Sequence, residues 1–211
     1  FWSEEFTKMG ALAPLDAYVT EDLKKDILPV LWETGKVKGV TIGIPVFFGS
    51  QLIYYRKDIL TEEGVSVPTT WEELVDAAKK LTKEGRWGYI FGAYGFRLGQ
   101  TLYPMMWQAG CPMWVETEEG KVKSVFNTPE GLKALRFYVE LVTKHKVCPP
   151  SCIGSDFDPL LNGMLEAGKA AMMQGGMWQI DQIRADVPEL KDKWGVAPLT
   201  YPKGGQRFTY G

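Results

Sequence analysis

The sequence has one histidine, His145, and three cysteines, Cys111, Cys148 and Cys152. That leaves too few imidazoles and thiols in close spacing for a zinc centre, so no metal is expected. No apolar run approaches the roughly 18 residues that a membrane-spanning helix needs. Neither sign of charge dominates: 24 Lys and Arg stand against 26 Asp and Glu, interspersed, for a net charge of -2. Without a basic arm or patch, nucleic acid is a poor partner. Also missing are a G-x-S-x-G nucleophile turn and a phosphate-binding glycine loop. Carboxylates are plentiful, but Glu116, Glu118 and Glu119 fall on a predicted hairpin tip, where solvated charge is the ordinary state. No motif sets two of them across a pocket in the manner of glycosidases. The expectation is a protein with no catalytic residues and no cofactor. Asparagine is scarce, Asn127 and Asn162 only, beside abundant Lys and Glu, a bias that fits a thermophile.

What is present suits a folded α/β chain. The 211 residues are 45% apolar and 24% charged, enough to bury a core. The chain opens Phe1-Trp2-Ser3 without an initiator Met and reads as a fragment, with any targeting segment upstream. Cys148-Pro149-Pro150-Ser151-Cys152 either closes a small loop disulfide or holds unpaired thiols.

Helical and strand periods alternate. Short helices broken by Pro29 fill 16–34. Gly39–Phe48 is apolar and β-rich, and Gln51–Tyr55 reads as a second strand. Thr70-Trp71-Glu72-Glu73 opens a helix with Thr70 as N-cap and Leu74, Ala77, Ala78 and Leu81 as its buried stripe. Gly88–Phe91 is a strand, and Arg97–Ala109 a helix interrupted or kinked at Pro104. Met113–Val125 is a hairpin turning at Glu119-Gly120. Pro129 starts a helix whose apolar face is Leu132, Leu135, Val139 and Val142. Asp158–Ala167 is helical, Lys169–Met173 a buried strand, Trp178–Val187 a helix and Trp194–Pro198 a strand.

Several segments then line up in a recognisable order. They are Gly10-Ala11-Leu12-Ala13-Pro14-Leu15-Asp16, Gly39-Val40-Thr41-Ile42-Gly43-Ile44-Pro45 and Leu52–Leu60, followed by Pro68-Thr69-Thr70-Trp71-Glu72-Glu73-Leu74. Asn127–Leu135 and Gly168–Trp178 complete the series. Together they resemble the family 1 extracellular solute-binding proteins, the group that includes maltose- and maltodextrin-binding proteins. The resemblance implies an α/β fold of the type II periplasmic-binding-protein kind, with a ligand cleft between two lobes. Residues 1–54 would be a remnant of the N-terminal lobe with the hinge strand, and 55–211 an incomplete C-terminal lobe. It implies a periplasmic or extracytoplasmic component of an ABC importer, with a sugar or oligosaccharide as ligand and membrane permease subunits as partners. A half-cleft left open implies self-association of the fragment.

A sugar offers an apolar C–H face and a rim of hydroxyls, so its site needs aromatic platforms and fixed polar groups. The chain is rich in the former, with 8 Trp, 9 Tyr and 10 Phe. Trp178 follows Gly175-Gly176 at a strand-to-helix turn, where the resemblance places a sugar-stacking Trp. Tyr94 and Phe96 sit among Gly92, Gly95 and Gly99, where the backbone can approach a ligand. Gln100 is the hydrogen-bonding candidate on the next helix. Phe48, Ser50 and Gln51 lie near the hinge, where many relatives carry an acid, and Gly176 and Asp181 flank Trp178. Trp107 reads as core, while Trp114 either faces the cleft or packs. Tyr54-Tyr55 suggests a ferric-ion protein, but neighbouring strand side chains point to opposite faces. Polyamine or peptide ligands remain as further alternatives.

Overall fold

A computed structural model describes residues 3–119, 121–153 and 158–207. It divides into two compact units, Phe1–Phe48 and Gly49–Gly211.

In the first unit, short helices α1 (Ser3–Lys8), α2 (Glu21–Asp26) and α3 (Pro29–Thr34) precede strands β1 (Lys36–Val37) and β2 (Val40–Thr41). Thr20 caps α2 by accepting from the Leu23 N–H at 3.2 Å, and Pro29 stands in the first turn of α3. β1 and β2 form a hairpin through Lys38 and Gly39, both at positive φ, which is the tight two-residue turn that matches strand twist. The strand expected over Gly39–Phe48 stops at Thr41. The next two N–H groups, of Ile42 and Gly43, both donate to the Gly35 carbonyl, which turns the chain out of strand geometry.

The second unit is built on a four-stranded mixed sheet. Its elements are β3 (Gln51–Arg56), α4 (Lys57–Glu62), α5 (Trp71–Leu81), β4 (Trp87–Ile90), α6 (Phe96–Gln108), β5 (Trp114–Glu116), β6 (Val122–Ser124), α7 (Pro129–Thr143), α8 (Asp158–Glu166), β7 (Ala170–Gly176), α9 (Gln179–Asp186) and β8 (Trp194–Pro198). The sheet order is β4-β7-β3-β8; β4 and β7 run parallel, and β3 is antiparallel to both β7 and β8. β3 belongs to this unit because it pairs on both edges with strands of the second unit.

The central strands are buried on both faces, and Ile53, Tyr54, Tyr89, Ile90, Met172 and Met173 are fully enclosed. α5 lies on the sheet by the expected stripe, with Trp71 and Val75 added. A capping box holds its start: Thr70 Oγ1 accepts from the Glu73 N–H, and the Glu73 carboxylate accepts from the Thr70 N–H. Gly88 lets β4 approach the Ala78 backbone of α5, where a Cβ would strike the carbonyl.

α7 is present, but its buried face is not the expected one. Gly131, Ala134, Tyr138 and Leu141 face the core, while Leu132, Leu135 and Val139 are exposed. The cause is local. Gly131 fits beneath the Phe126 carbonyl and the Cys111 thiol, where any side chain would collide, and Tyr138 packs on Phe91 with ring centres 4.8 Å apart. These contacts rotate the helix by about one residue. The hairpin forms from β5 and β6; Gly120 of its turn lies outside the described residues. The three cysteines are free buried thiols, and burial pushes the Cys152 thiol up to about 11.

Candidate functional site

β4 and β7 are neighbouring parallel strands, so the segments leaving their carboxyl ends emerge side by side. In open α/β sheets this is where ligands bind. Here the two segments enclose a depression of about 450 Å³ lined by Tyr94, Gly95, Phe96, Arg97, Gln100 and Trp178.

The Trp178 wall comes from the end of β7. Met177 ties that end to β3 by donating its N–H to the Ser50 carbonyl at 2.9 Å, and Trp178 then caps α9. Neither Gly175 nor Gly176 has positive φ, so neither is needed for backbone conformation. Both are needed for space. A Cβ on Gly175 would strike the Gln179 side chain, which is fully buried and donates to Asn162 Oδ1 at 2.7 Å. A Cβ on Gly176 would strike the six-membered ring of Trp178. The indole therefore lies against the backbone of β7, half-buried, and this seat fixes its direction.

The opposite wall comes from the end of β4. Gly95, at φ 50° and ψ -127°, turns the chain into α6, a conformation that side chains disfavour. Tyr94 and Phe96 on either side of it are 55% and 58% exposed. On the first turn of α6, Arg97 Nη1 donates to Gln100 Oε1 at 2.6 Å, and the guanidinium lies over the Trp178 ring, 5.1 Å from its centre.

A buried amide supports this turn. Pro104 sits inside α6 and has no N–H for the carbonyl four residues back, that of Gln100. Gln174 of β7 fills the gap: its Nε2 donates to the Gln100 carbonyl at 3.2 Å, while Tyr89 Oη donates to Gln174 Oε1 at 3.1 Å. α6 consequently runs through the proline. Thr101 Oγ1, donating to the Gly92 carbonyl at 3.0 Å, holds the preceding loop.

The structure thus brings together Tyr94, Phe96, Gln100 and Trp178, with Gly176 as the seat of the indole. Gln51 is buried opposite Gly176 in the β3–β7 register, and Ser50 contributes its carbonyl, so both brace the rim without lining the depression. Asp181 lies outside the lining: its side chain is 90% exposed and 3.6 Å from Arg184 on the next turn. Its position on the solvent face of α9 accounts for this. Phe48 belongs to the first unit and is half exposed. Trp114 stands edge-on to Trp107 at 5.7 Å and is outside the lining. Tyr54 and Tyr55 diverge as strand alternation requires. Tyr54 is fully buried and donates to the Gly176 carbonyl at 2.7 Å, and burial, then the Asp181 charge, pushes its hydroxyl pKa up. Arg97 was not anticipated; its one sequence signal is its place three residues before Gln100, a single turn of helix.

Two other depressions in this unit differ in character. One of about 490 Å³ between α5 and α7 is walled by Glu72, Asp76, Lys133, Arg136 and Glu140 around the stacked Trp71–Phe137 pair. One of about 450 Å³ beside β8 is rimmed by Lys57, Arg184, Lys191 and Asp192. Neither combines exposed aromatic platforms with the ends of two parallel strands.

A binding protein of Brucella abortus is 27% identical over 213 residues, covering 100% of this chain and 50% of its own length. Among solved structures, an ABC-transporter solute-binding protein of Thermotoga lettingae bound with α-D-tagatose superposes with TM-score 0.82 at 30% identity, over 97% of this chain and 52% of that one. Maltose-bound MalE3 of T. maritima gives TM-score 0.82 at 31% identity, over 94% and 50%. The chain therefore spans about half the length of these relatives and has part of their type II periplasmic-binding-protein fold. Residues 1–211 match the bacterial extracellular solute-binding protein family along their whole length, and the chain belongs to that family.

Proposed function

We propose that this chain is part of the extracytoplasmic solute-binding component of an ABC importer, and that its ligand is a sugar or oligosaccharide. Gly49–Gly211 would correspond to the C-terminal lobe, with the depression at the ends of β4 and β7 as its half of the ligand site. The observation that carries this reading is the gathering of three aromatic side chains, exposed Tyr94 and Phe96 and half-buried Trp178, around a guanidinium and a carboxamide. Core aromatics would be enclosed; these offer flat faces to C–H groups and polar atoms to hydroxyls. The lining residues of the depression among the described residues are aromatic, amide, guanidinium and glycine.

Ligand would shift the protein toward a closed form that a membrane permease recognises. The relatives bound to tagatose and maltose support a carbohydrate over the ferric, polyamine and peptide alternatives. Burial of Tyr54 and its bond to the Gly176 carbonyl also remove it from service as a ferric ligand.

The test is a thermal-shift panel of sugars and polyols on the intact protein, followed by calorimetric titration of any hit. A rise in Tm with at least one sugar is expected, because ligand stabilises only the native state. Trp178→Ala should then weaken the hit about tenfold or more. A panel with no sugar response, beside visible absorbance developing on ferric addition, would replace this reading by the ferric one.

A further inference from the structure

Two groups meet the Trp178 ring in the ligand-free chain. Gly176 lies against its six-membered ring, and the Arg97 guanidinium lies over it at 5.1 Å. Trp178 and Arg97 line the same depression, so the guanidinium covers ring surface that borders it. We infer that Arg97 is a specificity-determining latch, which occupies the stacking face of Trp178 and is exchanged for the ligand ring on binding. This rests on the depression being the sugar site.

The geometry favours exchange over a fixed sandwich. Arg97 sits half-buried on the first turn of α6, between Tyr94-Gly95-Phe96 and Gln100, on a long side chain with many rotamers. Gln100 itself is held from behind, its carbonyl bonded to Gln174, while its side-chain Oε1 accepts from Arg97 Nη1. Movement of Arg97 therefore uncovers two ligand-binding features together, an aromatic face and a carboxamide oxygen. A solute without a flat apolar face cannot replace the cation on the indole, so the latch selects ring sugars that stack. A half-buried guanidinium–indole contact such as this one corresponds to about a two- to fivefold change in equilibrium constant.

The experiment uses the intact protein and the neutral sugar identified by thermal shift, with wild type, Arg97→Ala and Trp178→Ala titrated in parallel. Arg97→Ala should bind about two- to fivefold more tightly, with the gain in the association rate, because the competitor for the ring face is gone. In the ligand-free protein, the Trp178 indole N–H resonance, assigned by its loss in Trp178→Phe, should shift in Arg97→Ala. Unchanged or weaker binding by Arg97→Ala, or an unmoved resonance, overturns the latch. The sugar-site reading fails separately, if Trp178→Ala binds as wild type does. Weakening by both Trp178→Ala and Arg97→Ala keeps the site and removes the latch, making Arg97 a direct ligand contact.

Discussion

Gly176→Ala should damage ligand binding far more than folding. Gly176 has an ordinary strand conformation, so a methyl group introduces no backbone strain there. It does introduce a collision with the Trp178 six-membered ring. If the ring stayed, overpacking would cost about 1–3 kcal/mol. The ring is half-buried and borders open space, so it can swing outward instead. The stability cost then falls to the order of the lost Arg97 contact, about 0.5–1 kcal/mol, or a Tm decrease of roughly 1–4 °C. Binding loses the platform. Withdrawing about 60 Å² of apolar contact at about 25 cal/mol per Å² removes about 1.5 kcal/mol, close to tenfold in Kd. Calorimetric titration and a melting curve on the same sample separate the two effects. Wild-type affinity in Gly176→Ala would refute the claim that this glycine is the seat of the indole. A Tm loss above roughly 10 °C would show that the ring cannot move as described.

Gly88→Ala should show the opposite balance, because its Cβ would meet the Ala78 backbone, which cannot rotate away; a loss of about 3 kcal/mol or failure to accumulate folded protein is expected. Gln174→Met leaves the Tyr89 hydroxyl and the Gln100 carbonyl without their partner; chemical denaturation should register about 1–3 kcal/mol, together with weaker sugar binding from a loosened α6. Arg56→Met removes the guanidinium that donates to the Leu165 and Glu166 carbonyls at 3.0 and 3.1 Å; a loss of about 3 kcal/mol is expected in the same assay. The Arg56 hydrogen bond also holds the Asp58 carboxyl below its usual range, so its contribution is present above about pH 4 and lost as pH falls through the lower folded value. Melting curves across that window should be less pH-dependent in Arg56→Met than in wild type.

The elements that were legible in the sequence are those whose cause is local. Thr70 with Glu73 marks a helix start within four residues, and β8 runs over Trp194–Pro198 as its pattern reads. What escaped depends on contacts distant in the chain. The apolar pattern of α7 points to Leu132, Leu135 and Val139, yet Gly131 under the Phe126 carbonyl and Tyr138 on Phe91 decide the buried face. Tyr94, Phe96, Gln100 and Trp178 meet around one depression because glycines and aromatics cluster beside strand ends. Arg97 was missed because its partner on the indole is 81 residues away in sequence, from 178 - 97. Asp181 was placed at the rim by helical spacing alone, which does not say which face of a short helix meets the core.

The glycines at the end of β7 also change meaning. In sequence, Gly175-Gly176 reads as part of a strand-to-helix turn. In the structure both lie in a fully buried strand, and each missing side chain is replaced by one from the following turn, Gln179 for Gly175 and Trp178 for Gly176. The pair is therefore a mould rather than a hinge. It locks one side chain inward, where Asn162 meets it, and the other outward along the strand end, where Tyr94 and Phe96 open toward it. Together with Gln174 standing in for the hydrogen that Pro104 lacks, this gives a platform whose direction is set by the sheet before any ligand arrives. Preorganisation of that kind lowers the ordering cost of binding. The backing beneath Trp178 is backbone, whereas the Arg97 guanidinium over it is carried on a long side chain from α6.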